Sequence, residues 1–367
     1  MVYSEENLVV LAKREGNKKR KYLVVNRLQG KHIPVCPSAA LEMFEALAQV
    51  LLRAYPKERL LLIGFAETAT AIGAAVAARL DAYYMQTTRE CLPGVEYFYF
   101  SEVHSHATEQ KLVREDVDLV IGQVDRIVFI EDEITTGNTI LHIVRLLREA
   151  YGEGLCFSAA SLLNGMEKEN LKGYQEQEIS LHWLGKISHE NYEARVEQCV
   201  EDGSYHDCDR RMLTDGVEEI RPTGYLDARR LVRGEVYENA CLGMCDEIQT
   251  RLSSWQERRV LVLGTEEFMY PALCVAKRLE EMGNQVWYHA TTRSPISVCR
   301  GEGYPFRERY ELASFYDRER RTFLYDIGEY EEVLIVTDAA EGTEGLSTLV
   351  HALCLCNNCR IYLVRWC

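Results

Sequence analysis

The sequence predicts an α/β protein of two domains, each built on a mostly parallel sheet flanked by helices. Short apolar runs that suit buried strands alternate with longer runs that suit helices, which is the pattern of a parallel sheet covered by helices. The chain has 367 residues, too many for one ordinary core. Short motifs of the first half also return, in the same order, in the second half. We therefore expect two related α/β domains.

The first half contains two pairs of a strand and a helix. Residues 60–63 form a short apolar run that ends at Gly64, and the alanine-rich residues 71–80 follow as a helix. Residues 126–130 predict a second buried strand, and residues 140–150 a second helix. One face of that second helix is apolar and carries Ile140, Ile143, Val144 and Leu147.

A polar stretch separates the two domains. From Gly165 to about Gly234 the apolar periodicity weakens and charged residues become frequent. We place the boundary near residue 215, which gives a first domain of residues 1–214 and a second of residues 215–367. The aromatic run at residues 181–184 is assigned to the first domain as a late strand.

The second domain echoes the first. Gly64 and Glu67 correspond to Gly264 and Glu267, Thr87-Thr88-Arg89 corresponds to Thr291-Thr292-Arg293, and Asp132 corresponds to Asp338. Each pair occupies the same place in a strand, loop and helix pattern. We interpret the second domain as a degenerate duplicate of the first.

Composition limits the class of partner. A formal net charge of -15 disfavours nucleic-acid binding, which needs a positive surface, so an anionic ligand requires a local site. We find no apolar run of membrane-spanning length and no secretory signal at the N-terminus, and we expect a cytoplasmic protein without membrane contact. The 13 cysteines are interpreted as reduced thiols.

The segment from Glu131 to Thr139 carries the clearest chemical signal. Two acids, Glu131 and Asp132, stand at the carboxyl end of a predicted strand, where open α/β sheets bind ligands. The Thr-Thr-Gly-Asn-Thr loop that follows opens a helix, and its amides and hydroxyls suit a phosphate group. The carboxylates suit sugar hydroxyls or a metal ion. An acidic turn that caps the helix through Thr135 or Thr136 is the alternative.

This segment resembles the signature of type I phosphoribosyltransferases, such as the orotate enzyme. Their fold is a parallel sheet with flanking helices, and their substrate is 5-phosphoribosyl-1-pyrophosphate (PRPP). The resemblance implies that Glu131 and Asp132 bind the ribose hydroxyls and Mg²⁺. It also implies a site for the 5-phosphate, formed by Thr135, Thr136, Gly137, Asn138 and Thr139.

The same resemblance implies a pyrophosphate loop after an earlier strand. That loop corresponds here to Phe65, Ala66, Glu67 and Thr68, with a helix-capping turn as the alternative. We expect a closing segment between Arg89 and Lys111, in which Arg89 grips pyrophosphate. His104 and His106 are further catalytic candidates, although surface or core histidines are an equally good interpretation.

Nearly the whole chain resembles a narrower group, an orotate-phosphoribosyltransferase-like family of bacterial tellurium-resistance-type stress operons. Its C-terminal domain is named for the sequence Thr-Arg-Ser-Pro (TRSP), which stands here at residues 292–295. Lys31 and His32 are candidates for a hood over the acceptor, with an edge strand and turn as the alternative. In the second domain one acid of the pair is missing, so we expect no PRPP site there. Its pocket candidates are Arg293, Asp338 and Glu341.

The resemblance implies Mg²⁺-dependent transfer of phosphoribosyl from PRPP to an unidentified small-molecule acceptor, or the reverse pyrophosphorolysis, in the synthesis of a nucleoside-like metabolite. A regulator that binds PRPP or a nucleotide without catalysis is the competing hypothesis. The expected partners are PRPP and the acceptor, with no nucleic acid, and a homodimer is left open.

Overall fold

The computed structural model describes residues 3–17, 20–100 and 110–367. They divide into two compact units. The first combines Leu41–Ser188 and Leu226–Ala240 with residues up to Glu5, and the second combines Glu6–Ala40, His189–Tyr225 and Cys241–Cys367. The predicted boundary near residue 215 lies inside the middle segment of the second unit. The division into domains of residues 1–214 and 215–367 stays a prediction.

The elements of the described chain follow in order. The helices are α1 (Glu5–Leu8), α2 (Pro37–Ala54), α3 (Thr70–Leu80), α4 (Arg114–Val120), α5 (Asn138–Tyr151), α6 (Lys168–Glu176), α7 (Tyr192–Glu197), α8 (Gly234–Arg251), α9 (Tyr270–Glu281) and α10 (Thr343–Leu355). The strands are β1 (Val9–Lys13), β2 (Tyr22–Asn26), β3 (Leu60–Gly64), β4 (Tyr83–Gln86), β5 (Tyr97–Phe100), β6 (Gln110–Val113), β7 (Arg126–Ile134), β8 (Cys156–Asn164), β9 (Ser180–Lys186), β10 (Ser204–Asp207), β11 (Glu218–Ile220), β12 (Val232–Arg233), β13 (Arg259–Gly264), β14 (Gln285–Ala290), β15 (Glu308–Ala313), β16 (Arg321–Tyr325), β17 (Glu332–Thr337) and β18 (Ile361–Arg365).

The first unit is built on a six-stranded sheet in the order β12-β4-β3-β7-β8-β9. All neighbours in it are parallel except β12, which pairs antiparallel with β4. The central strands are apolar because both faces are covered, and every residue of β3 is buried. The predicted strand at residues 181–184 is confirmed as part of β9.

The predicted apolar face of the second helix is confirmed in α5. Its buried residues are Ile140, Ile143, Val144 and Leu147. They join the core of the first unit with Phe129 of β7 and Phe157 of β8, whose rings stack with centroids 6.2 Å apart. This packing fixes the start of α5 next to the end of β7.

The second unit contains a five-stranded, all-parallel sheet in the order β11-β18-β17-β13-β14. Its strands β14-β13-β17-β18 repeat the order of β4-β3-β7-β8 in the first unit. Each sheet is accompanied by an antiparallel hairpin, β5-β6 in the first unit and β15-β16 in the second. The repeated topology agrees with our interpretation of a duplication.

Within the described chain, no helix has both the length and the apolar character that crossing a membrane requires.

Candidate active site

The acid pair Glu131 and Asp132 lies near the end of β7, beyond the buried apolar residues of that strand. β7 has β3 on one side and β8 on the other, so both acids stand near the middle of the sheet. Both residues are half-buried. Because parallel strands end at the same edge, these acids lie where open α/β sheets bind ligands.

Gly137 shapes the loop that leads from β7 into α5. Its φ of 71° lies in the left-handed region, where a glycine is favoured. A Cβ atom at this position would lie 2.5 Å from the Tyr174 ring and hydroxyl, closer than real contacts allow. Only glycine therefore fits without a shift. The loop opens onto the first turn of α5, where backbone N–H groups have no partner within the helix and attract anions.

Tyr174 contacts this loop, although no motif in the sequence marks the residue. Its hydroxyl donates a hydrogen bond to the Gly137 carbonyl oxygen at 3.3 Å. The side chain is buried, and burial together with the nearby Glu131 carboxylate raises the pKa of Tyr174. Tyr174 therefore stays protonated and keeps its place as a donor beneath the loop.

Thr136 makes a local contact in this loop. Its Oγ1 accepts a hydrogen bond from the Asn138 N–H at 3.4 Å. This contact is of the kind that the helix-cap alternative expects, so it does not separate a cap from a ligand site. Thr136 and Asn138 are both exposed, and Thr135 and Thr139 are half-buried. The start of α5 is thus open to solvent.

The loop after β3 is fixed from several sides. The Phe65 N–H donates to the Ile130 carbonyl oxygen at 3.0 Å, and the Ala66 N–H donates to Thr87 Oγ1 at 2.8 Å. Gln110 Nε2 donates to the Ala66 carbonyl oxygen at 2.6 Å, and the Ala66–Glu67 peptide is cis. The Phe65 and Ala66 amides, both predicted pyrophosphate ligands, are thus engaged within the fold.

One hydrogen bond joins the two predicted ligand loops. Thr68 Oγ1 donates to Asp132 Oδ1 at 2.8 Å, although the two residues are distant in the chain. The loop after β3 and the acid pair of β7 therefore meet at the ends of adjacent strands. Glu67, in the same loop, is buried.

Arg89 follows β4, the next strand of the same sheet, and is half-buried. Lys111 Nζ lies 3.4 Å from the Arg89 carbonyl oxygen and 2.9 Å from Cys91 Sγ, which ties the chain after β4 to β6. Arg89 thus belongs to the same edge of the sheet as the acid pair. His104 and His106 lie outside the described residues.

Lys31 and His32 belong to the second unit and are buried there. Lys31 Nζ donates to the carbonyl oxygens of Glu266 at 2.6 Å and Thr291 at 2.8 Å. His32 Nε2 lies 3.3 Å from Thr292 Oγ1. The ammonium group of Lys31 thus ties loops of the second unit together, and the acceptor role stays a prediction.

The three pocket candidates of the second unit have different surroundings. Arg293 Nε donates to Glu266 Oε2 at 2.8 Å. The Asp338 carboxylate accepts hydrogen bonds from the hydroxyls of Tyr316 at 2.6 Å and Tyr225 at 3.1 Å. Glu341 is exposed. These hydrogen bonds do not bring the three candidates to one point, and their role as a pocket stays a prediction.

Comparison with protein families gives two matches that together span most of the chain. Residues 8–188 match a family model described as phosphoribosyl transferase, and residues 234–353 match the TRSP domain that stands C-terminal to it. The chain belongs to this phosphoribosyltransferase family. The predicted family, enzyme class and α/β fold are thereby confirmed. No curated protein matches the sequence.

Solved structures that the comparison matches to this chain include adenine phosphoribosyltransferases. The enzyme from Rhodothermus marinus is 16% identical, with a TM-score of 0.36, and the match covers 50% of this chain and 96% of that one. The Trypanosoma brucei enzyme, solved with AMP, pyrophosphate and ribose-5-phosphate, is 18% identical with a TM-score of 0.36 over 51% of this chain and 80% of its own.

Proposed function

We propose that the first unit transfers the 5-phosphoribosyl group of PRPP to an acceptor, in a reaction that depends on Mg²⁺. The observation that carries this proposal is the hydrogen bond between Thr68 and Asp132, which joins the acid pair and the loop after β3 at one edge of the sheet. The glycine-shaped loop at the start of α5 adjoins the same acids. Acids for sugar hydroxyls and a helix start for phosphate are the two halves of a ribose-phosphate site.

The chain's own groups divide the work on the substrate. The Glu131 and Asp132 carboxylates accept hydrogen bonds from the ribose hydroxyls, and the loop from Thr135 to Thr139 holds the 5-phosphate. The bond between C1 of the ribose and the pyrophosphate oxygen breaks, its electron pair leaves with pyrophosphate, and the acceptor bonds to C1. Arg89 and the loop of residues 65–68, through the N–H groups of Glu67 and Thr68, stabilise the leaving pyrophosphate by donating hydrogen bonds.

The residues of this site fit Mg²⁺ when they act together with the substrate. Among the residues that the structure describes, no three His, Cys, Asp or Glu side chains are grouped to hold a metal ion alone. Magnesium sites in phosphate-binding enzymes need only one or two carboxylates, because phosphate oxygens and water complete the coordination. Glu131 and Asp132 would supply those carboxylates, and the ion would neutralise charge on the leaving pyrophosphate.

The finer parts of the proposal rest on the sequence resemblance. They are the synthesis of a nucleoside-like metabolite, a role in tellurium resistance or stress, a cytoplasmic location, a homodimer and the acceptor hood at Lys31 and His32. The acceptor is a nitrogen base or another small nucleophile.

A regulator that binds PRPP without turning it over is the second candidate function. The contact that favours it is the engagement of the Phe65 and Ala66 amides within the fold, because these amides are then not directed at pyrophosphate. Such a regulator would use the same phosphate loop but would not release pyrophosphate.

Incubation with Mg²⁺ and PRPP in the presence of a panel of bases, with pyrophosphate release as the readout, tests the proposal. Calorimetric titration with PRPP runs in parallel. We expect binding and acceptor-dependent release of pyrophosphate. Binding without release across the panel would favour the regulator, and absence of binding with Mg²⁺ present would contradict both functions.

A further inference from the structure

Glu266, in the loop after β13, is a fully buried acid at the centre of a convergent set of donors. Its carboxylate accepts hydrogen bonds from Arg293 Nε at 2.8 Å and from an Arg320 guanidinium nitrogen at 2.9 Å. The Ser314 hydroxyl makes a third, short contact with the other carboxylate oxygen. All four residues belong to the second unit, and the donors come from separate parts of its chain.

The two guanidinium groups are themselves largely buried. The Arg293 side chain is 10% exposed and the Arg320 side chain 16%. Taking a guanidinium out of water is costly unless an anion compensates it, and guanidinium groups hold carboxylate and phosphate oxygens well. Arg293 also faces the Glu267 carboxylate at 3.9 Å and Arg320 the Asp317 carboxylate at 3.6 Å. Both arginines and the Ser314 hydroxyl converge on Glu266, and together they form a receptor for a small oxyanion. Its occupant is a side chain of the protein.

The first unit has a related loop with alanine at this position. The Glu266 N–H donates to Thr291 Oγ1 at 2.9 Å, as the Ala66 N–H donates to Thr87 Oγ1 at 2.8 Å. This anchor is therefore shared, although the backbones differ beside it, because the Ala66–Glu67 peptide is cis and Glu266 has a φ of 49°. At the position where the first unit has the methyl group of Ala66, the second unit has a carboxylate that reaches the arginines.

Neighbouring polar groups of the second unit are also satisfied from within. Ser314 Oγ accepts a hydrogen bond from the Tyr316 N–H at 3.0 Å, and the Tyr316 hydroxyl donates to Asp338 at 2.6 Å. Ser314 therefore links the residues around Glu266 to those around Asp338. Internal contacts replace those that a ligand would make with these groups.

We propose that Glu266 is a built-in occupant of an oxyanion-binding site in the second unit, and that removing its carboxylate opens this site to small carboxylates and phosphate. The inference does not depend on the function proposed for the first unit, because the receptor and its occupant lie within the second.

The test uses the full-length chain with Glu266→Ala and a matched control, Glu332→Ala. Glu332 is also a buried acid of the second unit and contacts two arginines, Arg258 at 2.7 Å and Arg360 at 3.2 Å. The Arg360 side chain is 67% exposed, so it can turn to water when the acid is removed. Loss of this carboxylate should leave no site for an anion.

Thermal unfolding is measured for both variants and the unaltered protein in sodium chloride, formate, acetate and phosphate at equal ionic strength. We expect formate or acetate to raise the midpoint of Glu266→Ala by about 2 to 4 °C, saturably, relative to chloride. The unaltered protein and Glu332→Ala should show only the unspecific salt effect that all three share. An equal response of all three proteins to every anion overturns the proposal.

If Glu266→Ala does not fold in chloride, this variant is refolded from urea with formate or with chloride. Recovery only with formate supports the proposal, and no recovery with any oxyanion contradicts it.

A second variant, Glu266→Gln, keeps the size of the side chain but removes its charge. We expect it to unfold at a lower temperature than the unaltered protein, and equal stability would also overturn the proposal.

Discussion

Replacement of Gly137 by alanine tests whether the loop before α5 is a phosphate site, because two separate costs fall on this position. An alanine at a φ of 71° is strained by about 1 to 2 kcal/mol. Its Cβ would also meet the Tyr174 ring at 2.5 Å, and overpacking of this kind costs about 1 to 3 kcal/mol more. Relief requires Tyr174 or the loop to move, and either movement displaces the amides at the start of α5.

Gly224→Ala is the matched control for backbone strain. Gly224 has a φ of 75°, and a Cβ there meets no atom within 4 Å. Thermal unfolding should show a loss of about 1 to 2 kcal/mol for Gly224→Ala and a larger loss for Gly137→Ala. Calorimetry with ribose-5-phosphate should show unchanged binding for Gly224→Ala and at least about tenfold weaker binding for Gly137→Ala, which corresponds to about 1.4 kcal/mol. Full affinity in a folded Gly137→Ala protein would refute the phosphate site and leave the loop as a helix cap.

Three further predictions concern single side chains. Thr136→Val removes one hydroxyl while keeping the shape, and should weaken ribose-5-phosphate binding by about 1 to 3 kcal/mol in calorimetry, less than Gly137→Val; a larger loss for Thr136→Val contradicts this order. Asp132→Asn should weaken PRPP binding, whereas Asp338→Asn should not, and an equal effect of both would place PRPP in the second unit as well. Burial, with His32 and Lys31 nearby, lowers the pKa of His289 to about 3, so the folded state resists a proton that the unfolded state accepts below about 6.5. The free energy of unfolding should therefore fall as the pH drops below about 6.5, by up to about 1.4 kcal/mol per pH unit. In urea unfolding, His289→Gln should make this pH dependence weaker. An unchanged slope would show that other groups cause it.

Local patterns in the sequence predicted the central elements because those elements are locally determined. Residues 60–64 and 127–130 are apolar runs whose burial on both faces requires that composition, and α5 has one apolar face. The position of the candidate ligand loops was also predictable, since loops that follow parallel strands lie at one edge of the sheet.

Long-range pairing was not predictable in this way. The stretch Glu6–Ala40 belongs to the second unit, and β12, from beyond residue 230, completes the sheet of the first. The periodicity of apolar residues indicates neither of these pairings. A strand of two residues, such as β12, is too short to show any period. Lys31 illustrates the consequence, since a lysine in a turn suggests an exposed cation, but here its ammonium group is buried against two carbonyl oxygens.

The two units show how one side chain can change the use of a shared loop. Both loops anchor an amide on a threonine hydroxyl, Ala66 on Thr87 and Glu266 on Thr291. Both threonines are followed by a second threonine and an arginine. In the second unit the arginine at that place, Arg293, pairs with the carboxylate of Glu266 in the loop itself. Alanine at the equivalent position of the first unit carries no carboxylate. The difference in ligand binding that we expect between the units therefore has two sources, the carboxylate at this loop position and the acid that the second unit lacks before Asp338.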